Sequence, residues 1–131
     1  MGGAGKRVTR DVEPAAIRQL LGDPPRATLA FLAAEAIELL PARARCDAGV
    51  YLFGVFPDAA PDLARREVLL VIDDGMYWFQ LRAISVRGVA RRVDSPESGA
   101  ARRLAWYAIE HHRVLGWDYG AIRERGAVVF R

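Results

Sequence analysis

Cysteine and histidine are scarce in this sequence, and their scarcity argues against disulfides and metal sites. Cys46 is the only cysteine among 131 residues, so the chain can form no internal disulfide and no cysteine-rich metal site, and a reducing compartment is expected. The two histidines, His111 and His112, are adjacent, and neighbouring side chains of a strand point to opposite faces. They are therefore not expected to hold one metal ion together, and the sequence predicts no metal site.

Long apolar runs and long basic runs are also missing. No stretch approaches the ~18 apolar residues that a membrane-spanning helix needs, and residues 1–10 lack the apolar stretch of a secretory signal. The formal net charge is +3, and no run of lysine or arginine exceeds two residues. We therefore expect a cytoplasmic protein that binds neither membranes nor nucleic acid. Eighteen of the 19 basic residues are arginine, whose planar fork suits phosphate and carboxylate groups, although a compositional preference explains the same count.

What the chain does contain is a globular composition, with 52% hydrophobic and 27% charged residues. A chain of this length commonly forms one domain, so residues 1–131 are predicted to be a single unit, with residues 1–10 as a flexible arm. Ile17, Leu20 and Leu21 lie at i, i+3 and i+4, after a proline and before a glycine, which predicts one short helix.

From Arg26 onward the pattern changes to short β-rich runs separated by turn residues, which predicts a mainly β barrel or sandwich with a few short helices. The predicted strands are Ala27–Leu32, Ile37–Arg45, Val50–Phe56, Val68–Ile72 and Trp78–Val93. The wholly apolar Val68–Ile72 is expected to be the most buried of them. Pro41 predicts an edge position or a bulge, because proline cannot donate a backbone hydrogen bond.

Several short signals predict turns, bends and helix ends. Asp47–Gly49 predicts a hairpin loop whose glycine can adopt a positive φ, and Gly88 predicts a bend or bulge inside its strand. Ser95 stands before a proline and predicts the N-cap of a helix. Leu104–Ile109 fits either a continuation of that helix or a further strand, and Val114–Trp117 is predicted to be the last strand.

Three motifs follow one another in the order found in one known family. Arg65–Asp74 reads as a strand ending in paired acids, Leu81–Ala90 contains the pattern V-R-G-x-A, and Val93–Glu97 contains D-x-P-E. Together they resemble the pyridoxamine 5'-phosphate oxidase-like family. Arg26–Leu29 and Arg113–Tyr119 are similar to the opening and closing strands of its small bacterial members, so the resemblance covers most of residues 26–124.

The resemblance implies a split β-barrel of the flavin reductase and pyridoxamine 5'-phosphate oxidase type, assembled as a homodimer. It also implies FMN, or the deazaflavin coenzyme F420, held in grooves between the subunits. Flavin-binding members usually carry a basic cluster for the cofactor phosphate between their third and fourth strands. The matching positions here are Pro57, Asp58 and Ala60, none of them basic, so the usual phosphate grip is missing.

Six residues are candidate contacts for such a cofactor. The basic candidates for a relocated phosphate site are Arg65, Arg66 and Arg82, and the aromatic candidates for ring stacking are Tyr77, Trp78 and Trp106. Alternatively, Arg82 extends to solvent at the end of the barrel, and the aromatic side chains belong to the core or the subunit interface. The sequence identifies no catalytic residue, and a flavin enzyme needs none of the familiar triads because its cofactor carries the chemistry.

Two functions therefore remain. The first is a flavin-type (FMN or F420) homodimer that acts as an oxidoreductase on a small organic substrate. The alternative is a cofactor-free split barrel that binds a small molecule or runs a non-redox reaction, which the residues Pro57–Ala60 favour. A nucleic-acid surface formed by Arg65, Arg66, Arg91 and Arg92 is the least supported hypothesis.

Overall fold

The computed structural model describes residues 11–12, 26–74 and 81–118, and these form seven strands and one short helix. The strands are β1 (Asp11–Val12), β2 (Arg26–Ala33), β3 (Ala36–Asp47), β4 (Val50–Val55), β5 (Glu67–Asp74), β6 (Arg82–Val93) and β7 (Ala105–Asp118). A 3-10 helix spans Gly99–Arg103. None of the helices in these residues is long and apolar enough to cross a lipid bilayer.

Six of the strands close into a barrel. The sheet runs β1-β7-β4-β3-β2-β5-β6, and an additional pairing of β6 with β7 joins its ends. Every neighbouring pair is antiparallel, and β1 adds to the outside of the ring by pairing with the end of β7. The predicted mainly β barrel is therefore confirmed. Closure leaves the six strands without a continuous open edge.

The core fills the inside of this barrel because alternate residues of each strand point inward. Leu29, Phe53, Leu70 and Ile84 are among the side chains with no exposed surface or almost none. The expectation that Val68–Ile72 is the most buried strand is wrong, because its side chains alternate between buried and half-buried. Instead β4 has five consecutive buried residues, since both of its faces are covered.

The two predicted backbone irregularities in β3 and β6 are present. Pro41 lies in the half of β3 that pairs with β2, whereas the pairing with β4 begins at Arg43, so in the described residues one side of Pro41 has no strand partner. In β6, the register with β7 shifts between Arg87 and Gly88. A Cβ at Gly88 would lie 2.6 Å from the Cα of His111, so only glycine fits where the two strands approach.

The hairpin loops follow turn geometry closely. Ala48 and Gly49 connect β3 to β4 with φ of 51° and 82°, which is the pair of positive values that a two-residue type I′ turn requires. The predicted loop at Asp47–Gly49 is therefore confirmed. Ala34 makes the β2–β3 turn with φ of 56°, without a glycine to signal it in the sequence.

The helix predicted to start at Ser95 is wrong. The Ser95 hydroxyl instead accepts the N–H of Glu97 and donates to its carbonyl, both at 3.1 Å, in a local turn. The helix begins only at Gly99 and lasts five residues. Leu104–Ile109 was predicted as either helix or strand, and residues 105–109 are strand. They belong to β7, which also contains the predicted final strand Val114–Trp117. The short helix around Ile17 lies outside the described residues.

Candidate functional site

An open groove follows the last residues of β6, and we call it the arginine groove. It consists of two pockets, called here the loop lobe and the helix lobe, whose linings both include Arg91 and Arg92. As successive residues of a strand, these two side chains point to opposite faces, Arg91 toward Glu110 and Arg92 toward the ring of Tyr107. The loop lobe has a volume of about 340 Å³ and is lined by Ala64, Arg65, Val89–Arg92 and Glu110. The helix lobe has a volume of about 850 Å³ and is lined by Arg91–Ser95, Arg102 and Leu104. The groove therefore collects side chains from the loop before β5, the end of β6 and the 3-10 helix.

Positive charge exceeds negative charge in this groove. Four arginines face two carboxylates, Asp94 and Glu110, which leaves a formal net charge of +2. Arg91 pairs with Glu110 at 3.4 Å between Nε and Oε2. No carboxylate of the described residues forms an ion pair with Arg65, Arg92 or Arg102. Their guanidinium donors are thus available to an anion.

A tight backbone connection places Arg65 beside β6. Arg65 adopts a φ of 68°, and its N–H donates to the carbonyl of Ala90 at 2.7 Å. The N–H of Ala90 donates in turn to the carbonyl of Arg66 at 2.9 Å. Positive φ is unfavourable for a side chain with a Cβ, so this conformation persists because the paired backbone and the buried Leu63 hold the loop. The result is that the backbone of Arg65 is fixed beside β6, and its exposed side chain lines the loop lobe.

The buried side chain of Tyr107 contacts both Arg92 and the loop that carries Arg65. Its ring is 2% exposed and stacks on Phe53, with ring centroids 5.1 Å apart. Its hydroxyl accepts the buried N–H of Leu63 at 3.1 Å and donates to Asp62 at 3.4 Å. The guanidinium carbon of Arg92 lies 5.5 Å from the centre of the same ring, within the range of a cation–π contact. One buried side chain therefore supports both the Arg65 loop and Arg92.

Solved structures of low sequence identity share this architecture. A FAD-binding protein from Mycobacterium smegmatis is 17% identical, with a TM-score of 0.62 over 81% of this chain and 96% of that protein. A conserved hypothetical protein from Mycobacterium tuberculosis is 16% identical, with a TM-score of 0.65 over 95% and 94% of the two chains. A provisionally assigned pyridoxamine 5'-phosphate oxidase from Corynebacterium glutamicum is 13% identical, with a TM-score of 0.60 over 84% and 96%.

This chain has a split-barrel fold. The fold that the sequence motifs implied is thereby confirmed, and it is one that proteins described as FAD-binding also adopt. No protein-family model matches the sequence, and no curated protein matches it.

The structure separates the three arginines proposed from the sequence. Arg65 lines the loop lobe, and Arg66 is an exposed neighbour that does not line it. Arg82 begins β6, nine residues before Arg91, and thus lies roughly 30 Å away along the strand at ~3.3 Å per residue. Its guanidinium binds both carboxylate oxygens of Asp74, at 2.6 and 3.2 Å. That hydrogen bonding raises the pKa of Arg82, so the side chain stays charged and engaged at the far end of the barrel.

Trp106 lies in a second, smaller core on the outside of the barrel. It is 1% exposed and packs with Leu52 and Ala108, while its indole N–H donates to the carbonyl of Ala101 at 2.9 Å. Within this single chain its ring is covered and offers no free face for stacking. Tyr77 and Trp78, the other aromatic candidates, lie outside the described residues.

The positions expected to carry the phosphate-binding cluster form an exposed turn. Pro57 and Asp58 are exposed, and the N–H of Ala59 donates to the carbonyl of Phe56 at 3.0 Å. Asp58 would repel a phosphate, so this turn does not fit the usual role of its segment. The groove arginines lie elsewhere. Of these, Arg102 was missed by sequence reasoning, and Arg91 and Arg92 were considered only as a nucleic-acid surface, although two adjacent arginines at a strand end were a visible signal.

Proposed function

We propose that this split barrel binds a flavin-type cofactor, FMN or F420, and acts as an oxidoreductase on a small organic substrate in the cytoplasm. One observation carries the proposal: the arginine groove presents Arg65, Arg92 and Arg102 without carboxylate partners in the described residues. The names of FAD-binding proteins with the same fold support the flavin assignment. Groove and fold together favour a cofactor over a purely structural role.

The residues of the groove fit the phosphate end of such a cofactor. A phosphate needs several hydrogen-bond donors and compensating positive charge, and arginine supplies both through a planar fork. Arg92 is held over Tyr107, so its side chain loses less freedom on binding than an unsupported arginine would. When bound, the flavin would supply hydride transfer, and the chain would orient it and limit the access of water.

We further propose that the active form is a homodimer. Leu32, Ile37 and Leu39 form an exposed apolar patch on the β2–β3 hairpin, which we call the hairpin patch; they are 59%, 72% and 68% exposed. Leu32 and Ile37 lie directly opposite each other in the register, so the patch is continuous. Exposed apolar surface of this kind commonly marks an interface. In a dimer, Tyr77 and Trp78 remain our candidates for ring contacts, and Arg66 for a secondary contact with the cofactor's charged groups.

Calorimetric titration of the purified protein with FMN, F420 and FAD tests the proposal. We expect micromolar binding of at least one flavin and a loss of about tenfold or more in affinity for Arg92→Gln, since a hydrogen bond to a charged group contributes about 1.5–3 kcal/mol. Arg103→Gln is the matched control, because Arg103 is an exposed neighbour of Arg102 that does not line the groove. Failure of all three flavins to bind would contradict the proposed function.

A second candidate function is a cofactor-free split barrel that binds a small anion or performs a non-redox reaction. The turn at Pro57–Ala60 favours it, since this turn carries an acid where a phosphate-binding cluster is expected. In that case no flavin would bind at any salt concentration, while small organic phosphates or carboxylates would still raise the melting temperature of the protein by binding to the folded state.

A further inference from the structure

We propose that the helix lobe binds a small zwitterion, a molecule that carries an ammonium and a carboxylate on an apolar body, such as an amino acid with a large apolar side chain. Asp94 binds the ammonium, and Arg102 binds the carboxylate. This inference rests on the proposed function and deepens it by naming the class of the small organic substrate. It leaves Arg65 and Arg92 for the phosphate of the cofactor.

The helix lobe offers one free charged group of each sign. Of its four charged side chains, Arg91 is paired with Glu110, and Arg92 lies over an aromatic ring on the other face of the strand. The remaining two are Asp94 and Arg102. In the part of the chain that the structure describes, these two form no ion pair with each other or with any other residue.

The segment between β6 and β7 brings these two groups to the same lobe. Asp94 follows directly after β6, and Arg102 lies in the last turn of the 3-10 helix. Between them, Glu97 forms ion pairs with two arginines of β3, and the carbonyl of Ala101 accepts the indole N–H of Trp106. The backbone positions of Asp94 and Arg102 are therefore fixed relative to each other.

Free charges of opposite sign disfavour a ligand that carries only one charge. A simple anion is attracted by Arg102 and repelled by Asp94, and a simple amine experiences the reverse. A zwitterion pairs with both groups, because the guanidinium fork matches a planar carboxylate and the carboxylate of Asp94 accepts the N–H groups of an ammonium. Ser95 adds no competing group, since its hydroxyl is already bonded to Glu97.

The apolar surface of the lobe indicates the kind of body that the zwitterion carries. Val93 and Leu104 line the lobe and pack against the buried cluster that contains Trp106, so this surface is supported by the outer core. The lobe has a volume of about 850 Å³, within the range of small-molecule sites. An apolar side chain over Val93 and Leu104 is removed from water, which favours binding. A large apolar side chain is therefore expected, and a small polar one is not.

Three related probes separate the contributions of the two charges. L-phenylalanine carries both charges, phenylpropionate lacks the ammonium, and phenethylamine lacks the carboxylate. In calorimetric titrations of the purified protein near neutral pH, without and with saturating FMN, we expect L-phenylalanine to bind about fivefold or more tightly than either analogue, because it alone forms both ion pairs. Absence of L-phenylalanine binding under both conditions would overturn the proposal. Equal affinity for L-phenylalanine and either analogue would also overturn it.

Two variants assign each charge to its residue. Asp94→Asn should weaken the binding of L-phenylalanine and phenethylamine by about fivefold without weakening that of phenylpropionate. Arg102→Gln should weaken the binding of L-phenylalanine and phenylpropionate by about fivefold without weakening that of phenethylamine. The matched controls are Asp58→Asn and Arg103→Gln, at exposed residues that do not line the lobe, and they should change none of these affinities. Equal effects of variants and controls would mean that the probes respond only to general surface charge, and would overturn the proposal.

The flavin titrations keep this inference distinguishable from the proposed function. Binding of L-phenylalanine with the expected variant pattern, but of no flavin, would support the zwitterion site and overturn the flavin assignment. Binding of a flavin without binding of L-phenylalanine would leave the proposed function standing and overturn the zwitterion site.

Discussion

At Gly88 the backbones of β6 and β7 lie too close together for any side chain, and a bulge is the consequence. We predict that Gly88→Ala lowers the free energy of unfolding by about 3 kcal/mol, because an added Cβ would meet the backbone at His111, which cannot move without displacing β7. Urea denaturation measures the change. Gly99→Ala is the control: φ there is +68° but nothing lies within 4 Å of the added Cβ, so the loss should be about 1 kcal/mol. Equal losses for the two variants would contradict the steric explanation.

At Tyr107, the hydroxyl oxygen has a defined role, because it accepts the buried N–H of Leu63. We predict that Tyr107→Phe lowers the free energy of unfolding by about 2 kcal/mol, since it leaves the buried N–H of Leu63 without an acceptor. The same change should speed the hydrogen exchange of Leu63 and its loop, while the Arg92 contact with the ring remains. Asp62→Asn keeps an acceptor oxygen for Ala64 and should cost about 0.5 kcal/mol or less. Unchanged exchange at Leu63 in Tyr107→Phe would show that the hydroxyl does not hold the loop.

Among the structural elements, the segment between β6 and β7 covers the outside of the barrel and forms one wall of the arginine groove. Glu97 fastens it to β3, because its carboxylate binds Arg43 at 3.2 Å and Arg45 at 3.0 Å. Beneath it, the indole of Trp106 is held by Ala101. This explains why β4 and the start of β7 are buried on both faces and why their sequences read as continuous apolar runs.

The fastening by Glu97 leads to a prediction for this element. Glu97→Gln removes the negative charge that two arginines share, so we expect faster solvent exchange of the Trp106 indole proton, measured by NMR, with the barrel itself still folded. Glu38→Gln is the matched control, because Glu38 is an exposed residue of the same strand as those arginines and lies away from the segment. An unchanged indole exchange rate in Glu97→Gln would mean that packing alone holds the segment.

At the scale of the whole molecule, the hairpin patch predicts how two copies associate. We expect the double variant Ile37→Glu, Leu39→Glu to be monomeric by size-exclusion chromatography with light scattering, whereas the unmodified chain should elute at twice the chain mass. Two carboxylates buried without partners would oppose association strongly. Because both side chains are exposed in the single chain, the variant should keep its fold, and its melting temperature should fall only by the stabilisation that association gives the unmodified chain.

The control for this prediction is an exposed aromatic residue outside the patch. Phe56 is 68% exposed in the turn after β4, and Phe56→Ser should leave the association unchanged. A dimer that persists in the double variant would place the interface on another face, and a monomeric unmodified chain would contradict the homodimer altogether.

The sequence by itself determined the local features of this protein. Short β-rich runs between turn residues located most of the strands, Asp47–Gly49 specified a hairpin, and Gly88 marked a bulge, because each depends on the backbone preferences of a few neighbouring residues. The order of short motifs also pointed correctly to a split barrel.

Only the tertiary structure decided which arginines line the groove. Arg65 and Arg102 are 37 positions apart in sequence yet line adjoining lobes, because β5 pairs with β6 and the 3-10 helix folds back beside it. Arg82, which the sequence ranked with Arg65, pairs with Asp74 at the other end of the same strands. The helix expected at Ser95 does not form, for a related reason. The Ser95 hydroxyl binds the N–H of Glu97, and Glu97 forms ion pairs with β3, so a local turn forms there instead. The grouping of these arginines depends on how the strands pair to close the barrel. Strand pairing joins residues that are far apart in the sequence, so no local sequence pattern predicts it.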